Sequence, residues 1–457
     1  MSNLFLPKND PKHDLLISKI VADVVSQHFS LKSSDYNIVE YKTSFNYKNI
    51  YSYYFLVKTL IYFFVFFLNT KKLIDFEIEG VNIGIAAYSS TLRNYKVYSS
   101  KPLLAFRLLS QFILATIAYT SSLRIAQNAE AVYIKDIAYR SRILFDVCMV
   151  KNVRVYMHTY PFGLVYLENS KFTSLNIVKY PYPKAQFNDN QYHDYMTNRI
   201  QSPEKSIPYY HAEKTNKDFH LDVDKDESIV LIYAHSFTDA QLYFGFDGFT
   251  NVLDWLNFTL DNLIQKNIRI IIKGHPNFWA VGFAAPIIAW DIKIWKDVQL
   301  KYKKFNNIEF IDFPVSNNEV LSKLDKENTV IISHHTNAIV EAAYLGFKTI
   351  SSACSPWGDN YYSFCEIWDS KKSYLDLLRN IESIRPPVES KLKNFVYDKY
   401  MYDLCYHGKL VWYSQLASEL GLKVSEVIRD PTIITLDKFI NYEKTIKNIS
   451  LNIKAVV

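Results

Sequence analysis

An α/β protein of two domains is what this sequence predicts, and three observations carry the prediction. Short runs of branched apolar residues alternate with helix-like stretches, the rhythm of a largely parallel sheet. At 457 residues the chain exceeds the usual single core. Between about 181 and 226 the character changes. Pro181, Pro183, Pro203 and Pro208 punctuate a polar stretch that also holds Asp222-Val-Asp-Lys-Asp226, the expected interdomain connection. The expected units are residues 1–215, residues 226–385 and a helical segment, 386–457, that packs back on the first domain.

The elements follow in order. Residues 14–70 read as helical, with apolar residues three and four apart in Leu15–Val25. Phe76–Ala87 reads as a strand and Pro102–Asn128 as a long apolar helix. Ala131–Asp136 is a short strand ending on an acid, Ile143–Val150 a helix, and Val153–His158 a strand. The second run opens with strand 228–234 and continues through helix 251–266, strand 268–273, helix 285–304 and strand 308–312. Helix 316–324, strand 329–333, helix 337–346 and strand 348–352 complete it, and residues 371–383 and 390–420 read as helical.

Composition narrows the function classes. Apolar residues make up 49% and charged residues 21%, which argues against extensive disorder. The net charge of +6 is small for this length, and the lysine pairs are scattered, so nothing supports nucleic-acid binding. Cys148, Cys354, Cys365 and Cys405 lack metal-ligand or redox spacing and are expected as reduced thiols of a cytoplasmic protein. The first residues lack the apolar core of a signal peptide. Leu56–Leu68 is shorter than the roughly 20 apolar residues of a spanning helix and is expected as a core helix, with peripheral contact at the inner membrane's cytoplasmic face as the other expectation.

Candidate chemistry gathers where strands of the second run end. Ile268-Arg-Ile-Ile-Ile-Lys-Gly-His-Pro276 stops an apolar strand on Lys273, Gly274 and His275, leaving an imidazole at the strand's mouth to meet a phosphate. Ser333-His-His-Thr-Asn337 bridges a strand and a helix closed by Gly346. Thr336 or Asn337 is the expected N-cap, and free N–H groups beyond it suit an anion. Glu341, one turn on, is placed to reach a ribose hydroxyl. Ala234-His-Ser-Phe-Thr-Asp-Ala240 follows the first strand of the run. His235 and Asp239, four apart, would meet on a helical turn as an acid/base pair, whereas Asp247 reads as a turn residue. Asp136, His158 and Arg93 are candidates for acceptor contact in the first domain. No metal site is expected. Asp222–Asp226 fails as a calcium loop, because Glu227 and Tyr233 stand where a glycine and a glutamate are needed. His334 and His335 are expected to point apart, with no third ligand.

On Ala234–Ala240 with Asp254-Trp-Leu256, Ile272-Lys-Gly-His-Pro276 and Ser333–Gly346, the second domain resembles the nucleotide-binding half of bacterial capsule polysaccharide biosynthesis glycosyltransferases. The same motifs are similar to those of Kdo transferases and bacterial sialyltransferases. The resemblance covers about residues 228–365 and departs from the family turn at His334-His335, which precede Thr336 in place of small hydroxyl residues. It implies a GT-B fold, two Rossmann-like domains facing a cleft. It further implies a metal-independent transferase with no cofactor, using a nucleotide-sugar, CMP-sugar above others, and a saccharide or lipid-linked acceptor. By that resemblance His275 and Thr336 hold the nucleotide. From the residues themselves, Lys273, Ser333, Asn337 and Glu341 are expected to complete the donor site, and Asp239 with His235 to face the reacting centre. A CDP-polyol phosphotransferase of teichoic-acid type and a non-catalytic polysaccharide-binding relative are the alternatives.

Overall fold

A computed structural model describes residues 2–7, 36–41, 50–95, 101–129, 131–134, 139–158, 164–167, 189–201, 219–224, 226–239, 242–275, 278, 285–358 and 362–396. The architecture is mixed α/β, with parallel sheets flanked by helices. In chain order the first part contains β1 (Ser2–Pro7), β2 (Tyr36–Tyr41), α1 (Ile50–Phe66), α2 (Thr70–Ile74), β3 (Glu77–Ile78), β4 (Val81–Asn82), α3 (Ile83–Tyr95), α4 (Lys101–Asn128), β5 (Ala131–Ile134), α5 (Arg142–Val150), β6 (Arg154–His158) and β7 (Leu164–Leu167). Strands order as β2-β1-β5-β6-β7, parallel except for the β6–β7 pair.

Two expectations fail here for physical reasons. Tyr36–Tyr41, expected inside a helical stretch, is β2, paired along its whole length with β1. Phe76–Ala87 is not one strand: β3 and β4 form a two-residue hairpin turned by Glu79 and Gly80, both at positive φ, and α3 starts at Ile83. A Cβ on Gly84 would lie 2.0 Å from the carbonyl oxygen of Leu73, so only glycine lets α3 approach α2 this closely.

The second part begins with α6 (Asp189–Gln201), then β8 (Ile229–Tyr233), α7 (Val252–Leu263), β9 (Arg269–Lys273), α8 (Ala285–Tyr302), β10 (Ile308–Ile311) and α9 (Asn317–Leu321). It ends with β11 (Thr329–Ser333), α10 (Ala338–Tyr344), β12 (Lys348–Ser352), β13 (Glu366–Trp368) and α11 (Lys371–Arg379). All six strands are parallel, in the order β10-β9-β8-β11-β12-β13. Successive side chains of a strand face opposite ways, and here both faces are covered. Val230 and Ile232 join a core with Trp255, Leu260 and Trp295, while Leu231 and Tyr233 join another with Val315, Ile331 and Ala342. That double burial explains the unbroken apolar runs of the sequence. β13, three residues long, is an addition to the strands expected from the sequence.

The expected connection between domains contains a helix. α6 buries Tyr192, Met196 and Ile200 against Ile339 and Val340 of α10 and against Leu392 and Phe395 of the helical turn at 389–396. Leu15–Val25, Asp136, Pro276, Cys405 and the expected helix beyond 396 lie outside the described residues.

Candidate functional site

Counting strands from β8 as first, the order of the second sheet is 3-2-1-4-5-6, so the chain reverses direction across the sheet between β8 and β11. In doubly wound sheets ligands bind at the carboxyl ends of the strands flanking that reversal. Four histidines converge there. His235 follows β8, His275 follows β9, and His334 and His335 follow β11. The His235 ring lies 3.9 Å from that of His335 and 5.3 Å from that of His275, centroid to centroid. Parallel pairing of β8 with both β9 and β11 sets these three strand ends level, which is why residues so distant in sequence meet.

His334 and His335 do not point apart. Their Nδ1 atoms are 2.6 Å apart, within hydrogen-bonding distance, so that one ring N–H donates to the other ring's nitrogen. Alternation of side chains holds along a strand, but the strand has ended at Ser333, whose hydroxyl accepts the N–H of Thr336 and turns the chain. On its other side, His334 Nε2 lies 3.0 Å from Asp247 Oδ2. Asp247 is 1% exposed, and it also accepts from Trp368 Nε1–H (3.0 Å), from the Ser352 hydroxyl and from the Phe249 N–H (3.3 Å). Burial alone would push the Asp247 carboxyl up; His334 and these donors outweigh it and hold the carboxyl below its ordinary value. The result is a buried row, Asp247–His334–His335, whose far end, His335 Nε2, is buried with no hydrogen-bond partner. Asp247 reads as a turn residue from the sequence, because nothing local to it announces partners at positions 334, 352 and 368.

Three of these imidazoles, His235, His275 and His335, are held toward the neutral form. Burial pushes His335 and His275 well below the ordinary histidine value, with the neighbouring histidines adding to the effect and Lys273 adding to it at His275. Burial pushes His235 down to about 4, against its bond to the Ser236 carbonyl and reinforced by His334. A bound anion would oppose these shifts. The cluster can therefore donate hydrogen bonds to a phosphate and take up protons as it does so.

The remaining predicted residues are placed as follows. Lys273 is buried at the end of β9. Thr336 Oγ1 is buried without a partner beside the histidines' turn. Asn337 occupies the N-cap position of α10 but makes no capping bond, so the turn rests on Ser333 instead. The helix itself, expected over 337–346, is only seven residues long and closes at Gly346 (φ +89°), with Gly346 N–H to Ala343 O and Phe347 N–H to Ala342 O. Glu341 lies within a buried ion pair, 3.2 Å from Arg199 Nε of α6, and accepts from Asn317 (3.0 Å).

Asp239 and His235 are not brought together as a pair. No helical turn begins at 235, so residues four apart do not stack. Asp239 instead ion-pairs with Arg93 of α3 and accepts from the Tyr139 hydroxyl at 3.0 Å. Both partners come from the first part of the chain, whose apolar core also receives Leu242, Tyr243 and Phe246. Arg93, a candidate for acceptor contact, thus sits at this junction, and His158 closes β6. Among the described residues no group of three or more His, Cys, Asp or Glu side chains is placed to hold a metal ion.

No family model and no curated protein matches the chain. Among solved structures it is similar to a beta Kdo 2,4 transferase, KpsC, of Thermosulfurimonas dismutans. That match has 11% identity and a TM-score of 0.35 over 59% of this chain and 88% of that one. It is also similar to the UDP-GlcNAc 2-epimerase of Neisseria meningitidis bound to UDP-GlcNAc, at 11% identity and a TM-score of 0.30 over 88% of this chain and 99% of that one. Scores this low leave the chemistry to be argued from the side chains.

Proposed function

We propose that the chain is a glycosyltransferase that binds a nucleotide-activated sugar, CMP-sugar above others, at the histidine cluster and transfers the sugar to a surface polysaccharide or lipid-linked acceptor. The observation that carries this reading is the convergence of His235, His275 and His335 at the reversal point of a 3-2-1-4-5-6 sheet, with His335 Nε2 buried and unpartnered. In this reading the two parts of the chain face each other as in the GT-B arrangement, the first binding the acceptor and the second the donor. His275 and His335 donate to the phosphate, Lys273 adds positive charge, and the Thr336 hydroxyl and Asn337 line the nucleotide's side. Glu341 takes the ribose. An ionised carboxylate offers about four lone-pair sites, so its ion pair with Arg199 and the bond it accepts from Asn317 leave it able to accept a ribose hydroxyl.

The reaction breaks the bond from anomeric carbon to phosphate oxygen and forms one to the acceptor oxygen. The nucleotide leaves with the bonding electrons, and its growing charge is met by the imidazole N–H groups. The acceptor's proton goes to Asp239, which faces the first part of the chain and is freed when Arg93 releases it.

Two variants test these roles separately. His335→Asn should weaken CMP binding in calorimetry by the ~1.5–3 kcal/mol of a charge-assisted hydrogen bond. Asp239→Asn should leave CMP affinity unchanged and lower turnover by roughly 10²–10⁴-fold. A thermal-shift screen of CMP, CDP, UDP and GDP on the native chain identifies the nucleotide, since a ligand of the folded state raises the melting temperature. Failure of all four to stabilise the chain would sink the donor-site reading.

A further inference from the structure

The inner face of α1 is an ordinary core face. Phe55, Thr59 and Phe63 pack antiparallel on α4, with Phe55 against Tyr119 at 5.3 Å, the Thr59 and Thr116 hydroxyls 2.8 Å apart, and Phe63 against Phe112 at 5.4 Å. The outer face is not. Tyr54, Ile61, Phe64 and Val65 are each 60–65% exposed, Val57 53%, and just past the helix Leu68 is 85% exposed. A helix facing water on that side would be polar there. Phe106 of α4, 71% exposed, extends the apolar surface, since the antiparallel register brings it level with the end of α1.

The charges carried by α1 and the segment just after it are basic as far as Asp75, an exposed carboxylate that lies close enough to act on Tyr62. From Tyr41 to Ile74 the sequence contains five lysines and no aspartate or glutamate, and Lys58, Lys71 and Lys72 are exposed. We propose that the outer face of α1 lies in the interfacial plane of an anionic membrane, with its aromatic and branched side chains at the acyl boundary and its lysines on lipid phosphates. Tyrosine and phenylalanine with lysine are the residues such a surface selects, and Lys58 can lay its stem along the apolar face while its ammonium reaches a headgroup. A second copy of the chain suits this face less well. Two such helices packed face to face would bury opposed Lys58 groups with no carboxylate on either helix to pair them. Spanning is also unsuited, since α1 is 17 residues long and one side of it is packed on α4.

The inference uses none of the histidine-site residues, so either reading can fail alone. The test is co-sedimentation of the full chain with vesicles of phosphatidylcholine, alone or with about 30% phosphatidylglycerol, at low and high salt. Binding to the anionic vesicles should exceed binding to the neutral ones and weaken with salt. Ile61→Asp combined with Phe64→Asp should reduce it at least tenfold with the melting temperature unchanged, because both side chains are exposed. Lys58→Glu with Lys71→Glu and Lys72→Glu should remove the anionic preference. Wild-type chain left in the supernatant would overturn the proposal. So would a wild-type dimer in sedimentation velocity that the Asp double variant makes monomeric while vesicle binding stays intact.

Discussion

Asp239 and Asp247 lie on one loop, eight positions apart in the sequence, and they have opposite surroundings. Asp239 is half exposed and holds Arg93 and Tyr139 across the junction of the two parts of the chain. Asp247 is sealed beneath Trp368, Ser352 and His334. A histidine four residues away makes Asp239 the conspicuous carboxylate of the sequence. Closure of the loop onto the sheet gives a histidine partner to the other one. Spacing along the chain identifies chemistry only where regular structure converts spacing into contact; the described residues between 235 and 247 contain no helix to do so.

The largest expected effect tests that contrast directly. Asp247→Ala strands a buried imidazole N–H, an indole N–H and a hydroxyl together, and each buried donor left unmet costs about 1–3 kcal/mol. Asp239→Ala, on a pair open to water, should cost about 1 kcal/mol or less. Urea unfolding of the two variants compares them. Equal losses would mean that Asp247 does not organise the histidine row.

Next in size is the pH dependence. His235, His275 and His335 have folded-state values depressed below those of the unfolded chain. Above about pH 6.5 both states carry them neutral, so they cost nothing. As pH falls below about 6.5, the unfolded chain binds protons that the folded chain refuses until its own values are reached, about 4 for His235. Stability therefore drops across that window, by up to about 1.4 kcal/mol per pH unit for each histidine. Asp247, a carboxyl with a depressed value, contributes above its unfolded value near 3.8 and loses that contribution only at lower pH. Urea midpoints between about pH 4.5 and 7 measure the slope. A saturating anionic nucleotide should flatten it, because the bound anion favours the protonated imidazoles.

How much of this is legible in the sequence divides along physical lines. The second sheet is legible, since strands buried on both faces become unbroken runs such as Ile229–Tyr233 and Thr329–Ser333. The strand-end positions of His275 and the Ser333 turn follow from the same runs. Ile83-Gly-Ile-Ala-Ala87 is ambiguous, because a short apolar run fits a buried strand and a buried helix alike; packing of Gly84 on the Leu73 carbonyl decides for helix. α6 is obscured by its polar composition and prolines on both sides, though Tyr192, Met196 and Ile200 do mark one helical face. The Asp247–His334–His335 row is not legible at all, since its members come from separate segments and meet only when the sheet forms.

The smallest effect sharpens the comparison from the side of Asp239. If its ion pair with Arg93 is a surface contact between the two parts of the chain, a double-mutant cycle of Arg93→Ala and Asp239→Ala should give a coupling of ~0.2–1 kcal/mol. The coupling should shrink in about 0.5 M salt, because exposed charges are screened. Asp247 with His334 should show a larger coupling that salt leaves alone, both groups being buried. Tyr139 complicates the first cycle, since its hydroxyl bonds to Asp239 and its ring stands 5.6 Å from the Arg93 guanidinium. Repeating the cycle in a Tyr139→Phe background removes the hydroxyl and keeps the ring. A coupling above about 2 kcal/mol that resists salt would exceed what an exposed pair supplies. Asp239 would then be a structural carboxylate of the same kind as Asp247, and it would no longer serve as the acceptor of a substrate proton.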